Sequence, residues 1–233
     1  MLILLFLSLF GTSCKEEDPK PKTTLTLLIS ENNKDEEISY DSIVFQNMIG
    51  NRYSITRLQY FISNLQFHQK QVGWIFQEGV IYCDGRQSHE PIEFNDLPQA
   101  EYDSIAFTFG LNENDNRTGG LPANTENLNM AWPVPMGGGY HFLKMEGHHI
   151  NMESKKVGYA LHVGTNIDRG DIKQEVFFDL SRDQTIALVM DSDEWFQHPN
   201  ALDLNNISYT MGNDTMMLKV LQNALSVFKL EVR

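Results

Sequence analysis

Short segments in which apolar residues alternate with polar ones recur along this chain, and they constrain its fold more than any other feature. In residues 23–30, for example, Leu25, Leu27 and Ile29 fall on one face of an extended strand. Clusters of Asn, Asp, Gly and Pro separate such segments. The predicted strands cover residues 23–30, 53–67, 74–82, 92–94, 104–111, 139–145, 157–163, 176–180 and 186–190. Many short strands joined by turns predict an all-β fold, an antiparallel β-sandwich or barrel.

Two local departures from this pattern carry further predictions. The alternation breaks between Ile55 and Leu58, which predicts a bulge or bend in that strand. Near the carboxyl end, Asp214 is predicted to cap a helix, and residues 193–204 a second short one. The apolar face of the capped helix consists of Met217, Val220, Leu221, Ala224, Val227 and Phe228. We expect these helices to pack on the sheets of a single domain over residues 23–233, because no repeat or linker interrupts that part.

The amino terminus predicts a membrane anchor. Residues 1–13 are apolar and uncharged, too short to span a bilayer, and Cys14 follows them directly. This order is typical of a bacterial lipoprotein signal peptide, with lipidation of Cys14 after cleavage; a plain secretory signal is the alternative. Residues 14–22 form a charged, proline-bearing tether that resembles the surface-export signal of Bacteroidetes lipoproteins, or is simply a solvated linker. We expect an outer-membrane lipoprotein on the cell-surface or periplasmic face.

Charge and motif content exclude several function classes. The chain has 18 Lys and Arg against 31 Asp and Glu, a formal net charge of −13, which repels nucleic acid and attracts cations. Gly-x-Ser-x-Gly and phosphate-loop motifs are absent from the sequence, so we expect no enzymatic activity. With Cys14 lipidated, Cys83 has no cysteine partner, and its strand-like surroundings predict a small buried apolar residue rather than a thiolate ligand.

One stretch combines residues that suit a small metal site. Trp132 lies in a turn rich in Pro and Gly, and the strand after it carries Lys144 and Glu146, for which we expect an ion pair. His162, in the next strand, shares its face with Ala160 and a glycine, which leave room around the imidazole. The same residues are also compatible with an ordinary β-loop and a hydrogen-bonded core histidine.

Six short pieces of the sequence appear in an order that resembles the MbnP-like copper-binding domain, which many Bacteroidetes lipoproteins carry. The pieces are residues 55–65, 106–112, 120–122, 130–132, 139–147 and 162–164. The resemblance implies a periplasmic or surface β-protein that binds one copper ion, as Cu(I), through two histidines and a kynurenine made from a tryptophan. It further implies a partner, a di-haem peroxidase of the MbnH type, that oxidises this tryptophan.

Within the resemblance, Trp132 matches the tryptophan that follows the family's methionine, and His162 matches its His-x-Gly histidine. Two positions depart from the family. Val134 stands where many members have a second tryptophan, and Ser63 stands where we place an early ligand histidine. The candidates for the remaining ligand are His68, His141 and His149. We therefore expect copper binding without turnover. The alternative is a metal-free surface module that binds glycan or peptide through Trp132, Tyr140 and Trp74.

Overall fold

The computed structural model describes residues 23–164 and 170–233; the predicted signal segment, Cys14 and the whole tether lie outside the described residues. The described strands are β1 (Leu25–Asn33), β2 (Glu36–Glu37), β3 (Phe45–Gln46), β4 (Arg52–Gln69), β5 (Gly73–Phe76), β6 (Val80–Asp84), β7 (Ile92–Phe94), β8 (Glu101–Phe109), β9 (His141–Ile150), β10 (Lys156–Gly164), β11 (Gly170–Asp179), β12 (Gln184–Asp191) and β13 (Phe228–Val232). The α-helices are α1 (Thr125–Asn129) and α2 (Asp214–Val227). Two 3₁₀ turns, Val134–Met136 and Glu194–Phe196, complete the regular structure of this part of the chain.

The smaller sheet has five strands, in the order β13-β12-β1-β2, with β7 also pairing with β1. Strands β1 and β12 run parallel, from the pair Leu25 and Gln184 to the pair Asn32 and Asp191. The antiparallel prediction misses this pair, because alternation along a strand shows which face is buried but not the direction of the neighbouring strand.

The larger sheet has eight strands, centred on the long strand β4 in the order β10-β9-β4-β8-β11. Strands β3, β5 and β6 also pair with β4. The register of β4 against β9 shifts between Ile55 and Arg57, which confirms the predicted bulge. The predicted single strand 74–82 is two strands, β5 and β6, because regular pairing with β4 is interrupted between Phe76 and Val80, around Gly79, whose φ is +125°.

The two sheets pack face to face through aromatic side chains. Phe67 of the larger sheet contacts Phe94 of the smaller one, with ring centroids 5.1 Å apart. Phe228, the first residue of β13, contacts Tyr60 and Phe107 across the same interface. The predicted all-β sandwich is therefore confirmed.

The helices differ in detail from the prediction. Helix α2 packs against β10 and β11, but its N-cap is Asn213 rather than Asp214, and Phe228 already belongs to the next strand. The predicted helix over 193–204 is only the 3₁₀ turn Glu194–Phe196. Among the described residues, none of the helices combines the length and apolar character that crossing a membrane requires.

Candidate metal centre

A tight loop between β8 and β9 holds Trp132. Asn124 caps the start of helix α1, because its side chain accepts a hydrogen bond from the Asn127 backbone N–H at 2.8 Å. The backbone N–H of Trp132 then donates to the Gly139 carbonyl at 2.8 Å, and its indole Nε1–H donates to the Met136 carbonyl at 3.1 Å. Residues 137–139 are glycines with φ of +110°, +70° and +80°, a conformation that side chains disfavour. The loop thus fixes both the position and the orientation of the indole.

The indole of Trp132 is buried between two neighbouring strands, with 2% of the residue exposed. On one side it lies against Gly164, the last residue of β10, where a Cβ atom would come within 2.6 Å of the Trp132 Cε3 atom. On another side it contacts His141, the first residue of β9, with ring centroids 4.6 Å apart.

His141 offers a free lone pair in a buried position. Its Nδ1 lies 3.0 Å from the Met130 carbonyl oxygen, which can only accept, so Nδ1 carries the proton. Its Nε2 is buried and has no hydrogen-bond partner among the described residues. Burial, followed by the nearby charge of Lys144, lowers the pKa of His141 to about 3. The imidazole is therefore neutral at physiological pH, with its lone pair on Nε2.

His162 lies next to His141, with ring centroids 5.0 Å apart and the ring planes nearly perpendicular. Its Nε2 hydrogen bonds to Oε1 of Glu146 at 2.9 Å, and the same oxygen accepts from Arg57 at 2.9 Å. The bond to His162, together with the Arg57 charge, holds the pKa of Glu146 below its usual value, so this carboxylate stays charged. Thr210 bonds to both the backbone N–H and the carbonyl of His162, at 2.7 and 2.6 Å. Because Nε2 of His162 donates to Glu146, the neutral form of this ring keeps its lone pair on Nδ1.

Lys144 and Glu146 do not form the predicted ion pair. Glu146 pairs with Arg57 and His162, whereas the Lys144 ammonium donates to the Asn129 carbonyl at the end of α1. Lys144 and Glu146 are alternate residues of one strand and so lie about 7 Å apart, whereas partners on neighbouring strands are closer, at about 5 Å. This difference favours pairing across strands.

The other histidines proposed from the sequence lie elsewhere. His149 is also on β9, eight positions after His141, which corresponds to about 26 Å along a strand. His68 lies near the far end of β4, where its Nδ1 bonds to Asp103 at 2.7 Å and its ring contacts Trp74. Ser63 is buried and donates to the Gly110 carbonyl at 2.9 Å. The structure thus brings together Trp132, His141 and His162.

The resemblance seen in the sequence agrees with comparisons against known proteins. The family model described as MbnP matches residues 22–217. The solved structure of MbnP from Methylosinus trichosporium superposes with a TM-score of 0.57 at 13% sequence identity, covering 91% of this chain and 99% of that one. A search of curated proteins returned no match. Because the family model spans most of the sandwich, including the Trp132 loop and both site histidines, the chain belongs to the MbnP family.

Proposed function

We propose that this MbnP-family protein binds one copper ion between His141 and His162. The observation that carries the proposal is the contact of two imidazoles that each hold one nitrogen in a hydrogen bond, to Met130 and Glu146 respectively. Such outer hydrogen bonds orient metal-binding histidines and leave the second nitrogen for the ion. Leaving Nε2 of His141 buried without a partner costs free energy, and a metal ion would remove that cost.

The chemistry of the donors and the family membership both favour copper. Imidazole nitrogen suits copper, zinc, iron and nickel alike, so the two histidines alone do not choose among them. The link between the MbnP family and copper makes copper the first metal to test. The protein's part is to hold the ion in a buried position next to an aromatic ring, and we propose no turnover.

We further propose that Trp132 becomes a ligand only after oxidation. An indole nitrogen is a hydrogen-bond donor without an available lone pair, and this one already donates to Met136. Opening the indole to kynurenine would provide an aniline nitrogen and a carbonyl oxygen beside His141. A partner di-haem peroxidase of the MbnH type would catalyse this step with hydrogen peroxide as the oxidant, and the ring carbon lost from the indole would leave as formate.

Metal analysis of variants tests the histidine ligands. We expect stoichiometric copper in the wild-type protein, and its loss in both His162→Ala and His141→Ala. His68→Ala is the matched control, because it also removes a hydrogen-bonded imidazole from the same sheet but from a different place. Copper retained by both site variants, or absent from the wild type in either redox state, would overturn the proposal.

Peptide mass spectrometry tests the oxidation separately. Protein made together with its peroxidase partner should carry, on the peptide that contains Trp132, the mass gain of converting indole to kynurenine. A Trp132→Phe variant keeps most of the ring packing and should show no such gain. An unmodified peptide from native cells would exclude the oxidation and leave the two histidines as the proposed site.

The metal-free surface module has little support, because two of its three aromatic residues are buried. Trp132 is 2% exposed and Tyr140 is 5% exposed, whereas Trp74 is 42% exposed. A surface that binds glycan or peptide by stacking requires rings that reach solvent.

We also propose that the domain is held at the outer membrane through a lipid on Cys14. The support is the apolar segment 1–13 followed by cysteine and a charged tether. A Cys14→Ser variant should leave the membrane fraction and become soluble. Protease added to whole cells would distinguish a cell-surface from a periplasmic location. Membrane retention of the serine variant would contradict lipid anchoring.

A further inference from the structure

A second group of potential metal ligands lies between the two sheets. It consists of Glu31 on β1, Cys83 on β6 and His89 in the loop after β6. One carboxylate oxygen, the thiol sulfur and one imidazole nitrogen all lie within 4.8 Å of one another. The two strands belong to different sheets, so the three residues meet only in the folded sandwich.

This group is separate from the His141–His162 site. Cys83 pairs with Tyr60 of β4, which pairs on its other side with Leu143 of β9. His162 pairs with Lys144, the next residue along β9. Because consecutive residues of a strand point to opposite faces, the two groups lie on opposite faces of the larger sheet.

The three side chains are almost entirely removed from solvent and already interact. The side chain of Glu31 is 5% exposed and that of His89 is 13% exposed, and Cys83 is fully buried. Nε2 of His89 lies 2.8 and 3.1 Å from the two carboxylate oxygens of Glu31. The Tyr60 hydroxyl donates to the same carboxylate at 2.7 Å. The Tyr60 bond would hold the carboxylate in place while it binds an ion.

An open cleft connects Glu31 and His89, two of the three residues, with solvent. The cleft has a volume of about 540 Å³, and Glu31, Tyr40, Arg86 and His89 are among its lining residues. The hydroxyl of Tyr40 is buried there without a hydrogen-bond partner among the described residues. The cleft therefore has room and a polar atom for a water molecule that completes the coordination.

We propose that Glu31, Cys83 and His89 form a second metal site that binds a divalent transition-metal ion of the Zn²⁺ type. Thiolate, imidazole and carboxylate are the protein ligands of zinc, and three of them leave a fourth position for water. Tetrahedral coordination would place the donor atoms about 3.5 Å from each other, so Nε2 of His89 must move away from the Glu31 carboxylate, now 2.8 Å away, to make room for the ion. On binding, the thiol of Cys83 loses its proton to solvent. His89 gives up its hydrogen bond to Glu31, and the proton on Nε2 leaves that nitrogen, to solvent from the charged ring or to Nδ1 in the neutral one.

Cobalt provides a direct probe of the sulfur ligand. Full-length protein freed of metal should develop a thiolate-to-Co²⁺ charge-transfer band on titration with Co²⁺, and Zn²⁺ should displace the cobalt. The titration uses the His141→Ala/His162→Ala double variant beside the wild type, so that loss of the proposed copper site cannot be confused with loss of this one. We expect the band in both proteins.

Single substitutions then test the ligand set. Cys83→Ser should abolish the band, and His89→Ala should weaken Co²⁺ binding by more than about tenfold. Cys83→Ser changes a core residue and can disturb the fold, whereas His89→Ala changes a loop residue. Near-ultraviolet circular dichroism checks the fold of each variant. His198→Ala is the matched control, since that histidine also pairs with a glutamate but on an exposed turn.

Zn²⁺ should also raise the Tm of the wild type, because the ion would join the two sheets of the folded state only. His89→Ala should remove this rise, whereas His198→Ala should keep it. The proposal is overturned if wild-type protein gives neither a band nor a rise in Tm. It is equally overturned if the band persists in Cys83→Ser, or if Zn²⁺ raises the Tm while Co²⁺ gives no thiolate band.

Discussion

Gly164 leaves the space that the Trp132 indole occupies. A Cβ atom at this position would lie 2.6 Å from Cε3 of the indole and 2.8 Å from the Tyr140 carbonyl oxygen. We predict that Gly164→Ala displaces the ring, lowers stability by about 1–3 kcal/mol and reduces copper retention. Urea denaturation and metal analysis of the same preparation measure the two effects.

Gly158, on the same strand, provides the control for that substitution. A Cβ atom there would lie 3.4 Å from the Tyr209 hydroxyl, an ordinary contact with the end of an exposed side chain. Gly158→Ala should keep stability within about 1 kcal/mol of the wild type. Equal losses in both variants would show that strand backbone rather than indole packing determines the effect.

Tyr53 stabilises a buried carboxylate. Its hydroxyl donates to Asp193 at 2.8 Å, and burial raises the pKa of Asp193 above its ordinary value while this bond and Lys34 lower it. A folded-state pKa above the unfolded one means that stability falls as pH rises between the two. Tyr53→Phe removes a bond that favours the charged form, so the pKa of Asp193 rises further. We predict a loss of about 1–3 kcal/mol at neutral pH and a smaller loss near pH 4.

Tyr159→Phe is the matched control for this pH dependence. The Tyr159 hydroxyl is also buried, but it donates to the Ser54 carbonyl at 2.9 Å, and a carbonyl does not titrate. In urea denaturation, Tyr159→Phe should lower the stability by a similar amount at both pH values. A Tyr53→Phe loss that does not change with pH would contradict the assigned role of the Asp193 charge.

The candidate site was only partly predictable from sequence. Trp132 and His162 follow from the family resemblance, but His141 was one of three histidines without a way to choose among them. Regular alternation would place His141 on the face of Leu143, opposite His162. The structure has a register shift between Val163 and Gly164 that brings the two imidazoles together. Such a shift depends on pairing between strands, which no pattern within one strand encodes.

At the scale of elements, substitutions can test which residue caps helix α2. The Asn213 side chain accepts a hydrogen bond from the Met216 backbone N–H at 3.2 Å, whereas Asp214 lies in the first turn. We predict that Asn213→Ala costs about 1 kcal/mol, independently of salt. Asp214→Asn removes only a charge near the helix dipole, and should cost up to about 1 kcal/mol at low salt and less at high salt. Denaturation at two salt concentrations separates them, and the reverse salt pattern would assign the cap to Asp214.

The elements themselves were largely predictable, and their partners were not. Alternation identified most strands of both sheets, and a break in it located the bulge after Ile55. The same local signals extended α2 to Phe228, because an apolar residue at helical spacing gives no sign that a strand begins there. Tertiary pairing with β12 determines that boundary.

For the molecule as a whole, Phe228 joins the two sheets and the helix. It begins β13 directly after α2, and its ring lies 5.2 Å from Phe107 and 6.1 Å from Tyr60 of the larger sheet. We predict that Phe228→Ala lowers the free energy of unfolding by about 3–5 kcal/mol in a single cooperative transition. Phe177→Ala removes an exposed ring and should change it by less than about 0.5 kcal/mol. Similar losses in both would contradict a shared core.

The parallel pairing of β1 with β12 also sets an order of events during synthesis. A ribosome releases Leu25 long before Gln184, its partner in the smaller sheet. Until then the apolar face of the first strand lacks its central neighbour, and contacts between such distant positions form slowly. The smaller sheet therefore stays incomplete until nearly all of the polypeptide has emerged. The uncovered apolar face of β1 makes the nascent polypeptide prone to aggregation in that interval.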